Sequence, residues 1–111
     1  MATERSYSEY EISLIWEQAN KVPGIDPTKY RKDVAGAWIE RSAYGNCKSK
    51  LGWEVDHKKP ISKSGSENIS NLRPLQWENN RSKCDDYPTW IAVVTASGNQ
   101  NVDRRQQLTI S

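Results

Sequence analysis

Trp53-Glu54-Val55-Asp56-His57, continued by Asn71-Leu72-Arg73-Pro74-Leu75 and then Asn79-Asn80-Arg81-Ser82-Lys83, decides how this chain reads. Residues 53–56 alternate apolar and polar, as a half-buried strand does. Trp53 and Val55 then face a core, and Glu54 and Asp56 share the other face. Pro60 to Ser70 is rich in Ser, Lys, Gly and Asn and reads as a surface loop. Leu72-Arg73-Pro74 is at most a brief strand, because Pro74 cannot donate to a ladder. Leu75 to Cys84 has helical character, so the order is strand, loop, strand, helix. His57, the chain's one histidine, sits where the first strand meets the loop. Asp56-His57, Pro60, Gly65, Asn71-Leu72, Asn80 and Lys83 keep it company, and five such identities at fixed offsets arise by chance on the order of once in 10⁵. A bystander histidine is a poor explanation.

Outward from that stretch the signals are more ordinary. Ser8-Glu9-Tyr10-Glu11 has capping-box spacing, and Ile12, Ile15, Trp16 and Ala19 recur at helical intervals, which predicts a helix from about Ser8 to Asn20, ended by Pro23-Gly24. Asp26-Pro27 reads as a cap and first helical position opening a short turn before Tyr30. Ala37-Trp38-Ile39 is a second strand candidate that could pair antiparallel with Trp53–Asp56 across the Gly45-Asn46 turn. Trp90 to Thr95, a Ser97-Gly98-Asn99 turn and Gln106 to Ile110 predict a C-terminal hairpin.

With 111 residues, 35% apolar content, no Phe, five Trp and five Tyr, the chain suits one small domain over residues 1–111 with an aromatic-anchored core. It contains no apolar run long enough to span a membrane, and Met1-Ala2-Thr3-Glu4-Arg5-Ser6 lacks the pattern of a secretory leader. Cys47 and Cys84 form no CxxC pair, so free thiols in a cytoplasmic protein are the expectation. The net charge of +2 conceals a division: −3 over residues 1–28, +5 over 29–63 and 0 over 64–111. A positive middle segment is what attraction to phosphates requires.

The quoted stretch resembles the HNH endonuclease family with its ββα-metal (His-Me finger) fold, covering about residues 50–85. Tyr30-Arg31-Lys32-Asp33, Gly36-Ala37-Trp38-Ile39 and Tyr44-Gly45-Asn46 are similar to the flank of small bacterial HNH proteins. The resemblance implies an α+β domain: a ββα-metal core, an N-terminal helix and a C-terminal β extension. It implies a general base at His57 and metal ligands at Asp56 and Asn80. Asn71 joins His57 in the catalytic set as a loop clasp whose amide bonds backbone near the base. Asn80 stands where the family's last letter is His, making this an H-N-N variant. Glu54, on the Asp56 face, would orient an arginine or a group behind the ligands. Lys58, Lys59, Lys63, Arg73, Arg81 and Lys83 flank the site as candidate phosphate contacts. Cys84, four residues after Asn80, is expected to be buried against the sheet rather than to bind metal, and Cys47 to have no role.

The chemistry justifies these residue types independently. Phosphodiester hydrolysis needs an activated water, a cation beside the phosphate, and alignment. An imidazole, ordinarily near pKa 6.5, accepts a proton at neutral pH. A carboxylate and an amide carbonyl are hard oxygen donors, which favour magnesium or manganese over zinc or nickel. The expected function is therefore a metal-dependent endonuclease acting on DNA, double-stranded DNA first, with no membrane partner. The alternatives are a nucleic-acid-binding module that keeps the fold without cleavage, and an interaction domain whose histidine merely packs.

Overall fold

A computed structural model describes residues 6–110, so the start of the segment read for a leader, Met1 to Arg5, lies outside the described residues. The elements run α1 (Glu9–Trp16), β1 (Tyr30–Lys32), β2 (Trp38–Glu40), β3 (Trp53–His57), β4 (Leu72–Gln76), α2 (Trp77–Lys83), β5 (Thr89–Ser97) and β6 (Gln100–Thr109). The strands form three antiparallel pairs, β1–β2, β3–β4 and β5–β6. The architecture is a small α+β one.

Helix α1 opens on the predicted capping box: Ser8 Oγ accepts from Glu11 N, and Glu11 Oε1 accepts from Ser8 N. It stops at Trp16 rather than Asn20, because Asn20 exchanges backbone hydrogen bonds with Lys32 and is drawn beside β1. Buried Arg31 reaches the helix end from that strand, donating to the carbonyls of Trp16 and Ala19.

Strand pairing departs from expectation. Trp38–Glu40 pairs with Tyr30–Lys32 through a turn only five residues long, while Trp53–His57 pairs with Leu72–Gln76. The short connection closes at less entropic cost than the longer loop from residue 40 to residue 53. Strand β4 is also a full five-residue strand despite Pro74. The bonds from Trp77 N to Gly52 O and from Lys58 N to Asn71 O fix the ladder's phase. Opposed pairs alternate between bonded and non-bonded, so the Val55–Pro74 pair is non-bonded and the missing N–H falls on the side where no ladder bond is made. Leu75 belongs to this strand, and the helix starts two residues later than its predicted bound.

The β3–β4 ribbon separates two clusters. Ile12, Ile15, Trp16, Ile39, Trp53 and Leu72 pack on one side, with partly buried Val55 against them. Leu75, Ala35, Trp90 and Ala92 pack on the other, with Leu108 and Ile110. Trp53 is fully buried and touches Trp16 and Tyr44 at centroid distances of 5.5 and 4.9 Å, an aromatic anchor of the kind the Phe-free composition demands. The C-terminal hairpin turns at Gly98, whose φ of 60° suits a residue without Cβ. Strand β6 begins six residues before its predicted start.

Asp33 ties the pairs together. Its Oδ1 accepts from Ala35 N and Ala37 N at 2.9 and 2.8 Å, and its Oδ2 from Gln76 N and Asn79 Nδ2 at 3.0 and 3.1 Å. Asn79 in turn accepts from Val93 N and Val94 N and donates to Val94 O. Burial pushes the Asp33 carboxyl above its ordinary value, against the four donors that pull it down.

Candidate active site

Strand β4 runs directly into α2 because the Gln76 side chain caps it, accepting from Glu78 N and Asn79 N at 2.9 and 3.1 Å. With no connecting loop, the helix must lie across the face of β3 that carries Glu54 and Asp56. Asn80 Nδ2 donates to Glu54 Oε1 and Arg81 Nη2 pairs with Glu54 Oε2, both at 3.0 Å. Glu54 thus holds an arginine and the Asn80 amide at once. Its hydrogen bond and charge push the Arg81 guanidinium above its ordinary value. Asp56, His57 and Asn80 line one open pocket together with Val55, Pro60, Ile61, Arg81, Cys84 and Asp85.

Residues 58–71 close that pocket's rim. Asn71 Nδ2 donates to Lys59 O at 3.0 Å and Ser66 O at 2.8 Å, and its Oδ1 accepts from Lys59 N at 2.9 Å. One side chain therefore pins both ends of the loop. Gly65 fits inside it only because it lacks a side chain, since a Cβ there would stand 1.7 Å from Lys59 O.

His57 stays within the strand. It is the last residue of β3, opposite Leu72, and reaches the pocket from the ribbon's end; two-stranded ribbons twist strongly there. Its Nε2 lies 2.8 Å from Oε1 of Glu67, a residue the sequence reading passed over. Only the asparagine clasp on neighbouring Ser66 brings that carboxylate within reach, so no local signal marks it.

Asp56 is buried, and each of its oxygens already meets a cation: Oδ2 takes Arg73 Nε at 2.8 Å and Oδ1 takes Lys83 Nζ at 3.1 Å. Lys83 also donates to His57 O at 3.0 Å. This corrects the assignment of Arg73 and Lys83 to phosphate contact. Their side chains are 10% and 0% exposed, because a buried carboxylate requires buried partners. The Arg73 guanidinium lies 5.8 Å over the Trp90 ring, and its Nη2 is buried without a hydrogen bond. Lys59, Lys63 and Arg81 are exposed and Lys58 is half-buried. Lys58 Nζ donates to Ser70 O and Lys63 Nζ to Asp85 O. Cys84 is exposed at the end of α2 rather than buried, because the chain turns there with φ 49°. Cys47 is exposed, and both thiols are free.

The donor set defines which cation these residues suit. A carboxylate has about four lone-pair sites, of which the Asp56 ion pairs engage two, and the Asn80 amide contributes one carbonyl oxygen. No group of three or more His, Cys, Asp or Glu side chains poised for a metal occurs among the described residues. Two oxygen-bearing side chains beside an open pocket fit a hard cation that keeps waters or phosphate oxygens, not a closed nitrogen–sulfur site.

A strand carrying Asp-His, a clasped loop, a returning strand and a helix carrying Asn make up a ββα unit. The family model described as HNH endonuclease matches residues 45–85, which supports assigning the chain to that family and points to nuclease activity or nucleic-acid binding. No curated protein and no solved structure matches the chain significantly.

Proposed function

We propose that the chain is a metal-dependent endonuclease that hydrolyses phosphodiester bonds of double-stranded DNA. The observation that carries this reading is the convergence of Asp56, His57 and Asn80 on one open pocket within the matched stretch. Donation of the Nε2 proton to Glu67 leaves the Nδ1 lone pair of His57 to take a proton from water. The water oxygen then attacks phosphorus and the bond to the leaving sugar oxygen breaks. Asp56 and Asn80 would hold a hard divalent cation, which supplies charge neutralisation on the phosphate and the leaving oxygen. Lys58, Lys59, Lys63 and Arg81 steer the phosphate backbone towards the pocket.

The test is conversion of supercoiled plasmid with and without EDTA, followed by metals added singly. Magnesium or manganese is expected to support cleavage best. Asn80→His exchanges a hard donor for a borderline one, so the preference should move towards nickel, cobalt or zinc. DNA binding without cleavage under every metal would replace this reading with the binding-module alternative.

Glu67 is assigned as the residue that orients His57. Glu67→Ala should lower the single-turnover rate on the order of tenfold while leaving DNA affinity unchanged. Glu67→Gln, whose amide oxygen still accepts from Nε2–H, should restore most of it. A faster Glu67→Ala enzyme would mean that the carboxylate covers the base instead of orienting it.

A further inference from the structure

The C-terminal hairpin carries an irregularity with a charged consequence. Ala92 faces Gln106 and Val94 faces Asp103, so the single residue Val93 stands against two, Arg104 and Arg105. Side chains alternate along a strand, so Ala92 and Val94 share the buried face, and their cross-strand partners Gln106 and Asp103 lie on the same side of the ribbon, with Asp103 at its exposed margin. The hydrogen bonds agree. Gln106 Nε2 donates to Ala35 O, and Asp103 Oδ1 accepts from Lys50 Nζ at 2.8 Å. Residues 103 and 106 would fall on opposite faces of an unbroken strand. The bulge absorbs that change of parity by holding Arg104 and Arg105 together on the outer face.

Both arginines are exposed. Arg31, Arg41, Arg73 and Arg81 each pair with a carboxylate, from Glu17, Glu9, Asp56 and Glu54 respectively. Among the described residues, Arg104 and Arg105 are the arginines with no such partner. The nearest acid in sequence, Asp103, is taken by Lys50, which also pairs with Glu78. The bulge is anchored as well: Val93 N and Val94 N donate to Asn79 Oδ1 at 2.8 and 2.9 Å. Asn79 precedes the pocket residue Asn80 on α2, so the arginine pair is fixed relative to the site.

We propose that Arg104 and Arg105 form a second phosphate-binding patch, which grips the backbone of the nucleic acid outside the pocket. The proposal rests on the nucleic-acid reading above. Two adjacent guanidinium groups, each able to fork onto a phosphate, suit a repeating anionic backbone, and the anchored bulge limits the order lost on binding.

The test is the salt dependence of binding to a labelled DNA duplex, followed by fluorescence anisotropy in EDTA so that nothing is cut. Arg104→Ala/Arg105→Ala should reduce the log–log slope by about 1.8, the release expected for two phosphate contacts on duplex DNA. The Arg104→Lys/Arg105→Lys protein should keep the wild-type slope, and all three proteins should melt within a few degrees of one another, since both side chains are exposed and form no ion pair among the described residues. An unchanged slope in a double-alanine variant that still binds DNA overturns the patch and leaves the nucleic-acid reading intact. Failure of the wild type to bind the duplex at low salt overturns both. Loss of binding to anionic lipid vesicles, with DNA binding unaltered, would reassign the arginines to a membrane surface and overturn the proposal.

Discussion

His57→Ala should lose plasmid cleavage by about 10²–10⁴-fold, the range a positioned general base contributes, while binding DNA with wild-type affinity. The base acts on a proton that moves only in the transition state, so its removal takes little from ground-state binding. The substitution should also spare the fold. The imidazole lies at the rim of the pocket with its ring on an exposed carboxylate, and the contact through which His57 holds Lys83 is its backbone carbonyl. The measurement pairs the cleavage rate with a duplex-binding curve on the same protein. Activity within threefold of wild type would remove His57 from the reaction. An equal fall in affinity and rate would make it a binding residue.

Asp33→Ala should have the largest effect on stability, about 3–5 kcal/mol in denaturant unfolding, although Asp33 does not itself line the pocket. Removing the carboxylate leaves Ala35 N, Ala37 N, Gln76 N and Asn79 Nδ2 facing a buried space with no acceptor. Each orphaned donor costs on the order of 1–3 kcal/mol, though the sum is reduced by relaxation and entering water. The burial of the charge itself offsets part of the loss, since desolvation raises the Asp33 carboxyl. Asp33→Asn should recover little, because an amide offers one acceptor oxygen and places a donor against the remaining N–H groups. A change below 1 kcal/mol for Asp33→Ala would show that these three strand pairs are held by apolar packing alone.

The pocket was more legible than its surroundings because its members lie within one short stretch whose strand, loop, strand and helix are joined tightly. Alternation put Glu54 and Asp56 on one face, and the helix after Gln76 had nowhere to lie except across that face, which is why Asn80 meets Glu54. The strand partner of β2 was misread because sequence shows which segments are extended, not which pair. The five-residue turn bolted by Asp33 settles that choice, and neither Asp33 nor Asn79 carries a motif of its own.

Sequence alone therefore determined the elements set by neighbours: the capping box of α1, the order of the ββα unit, and the gathering of Asp56, His57 and Asn80. Tertiary structure decided the partner of each charged side chain. Arg73 and Lys83 look like solvent-facing cations in a basic stretch, yet Asp56 is buried between them and recruits both, because a carboxylate removed from water must be neutralised nearby. Glu67 reaches His57 only through a loop that Asn71 closes, and Arg104 and Arg105 share a face only because of a bulge opposite Val93. A side chain's chemical type is written in the chain, but its partner and its exposure are set by packing between residues far apart in sequence.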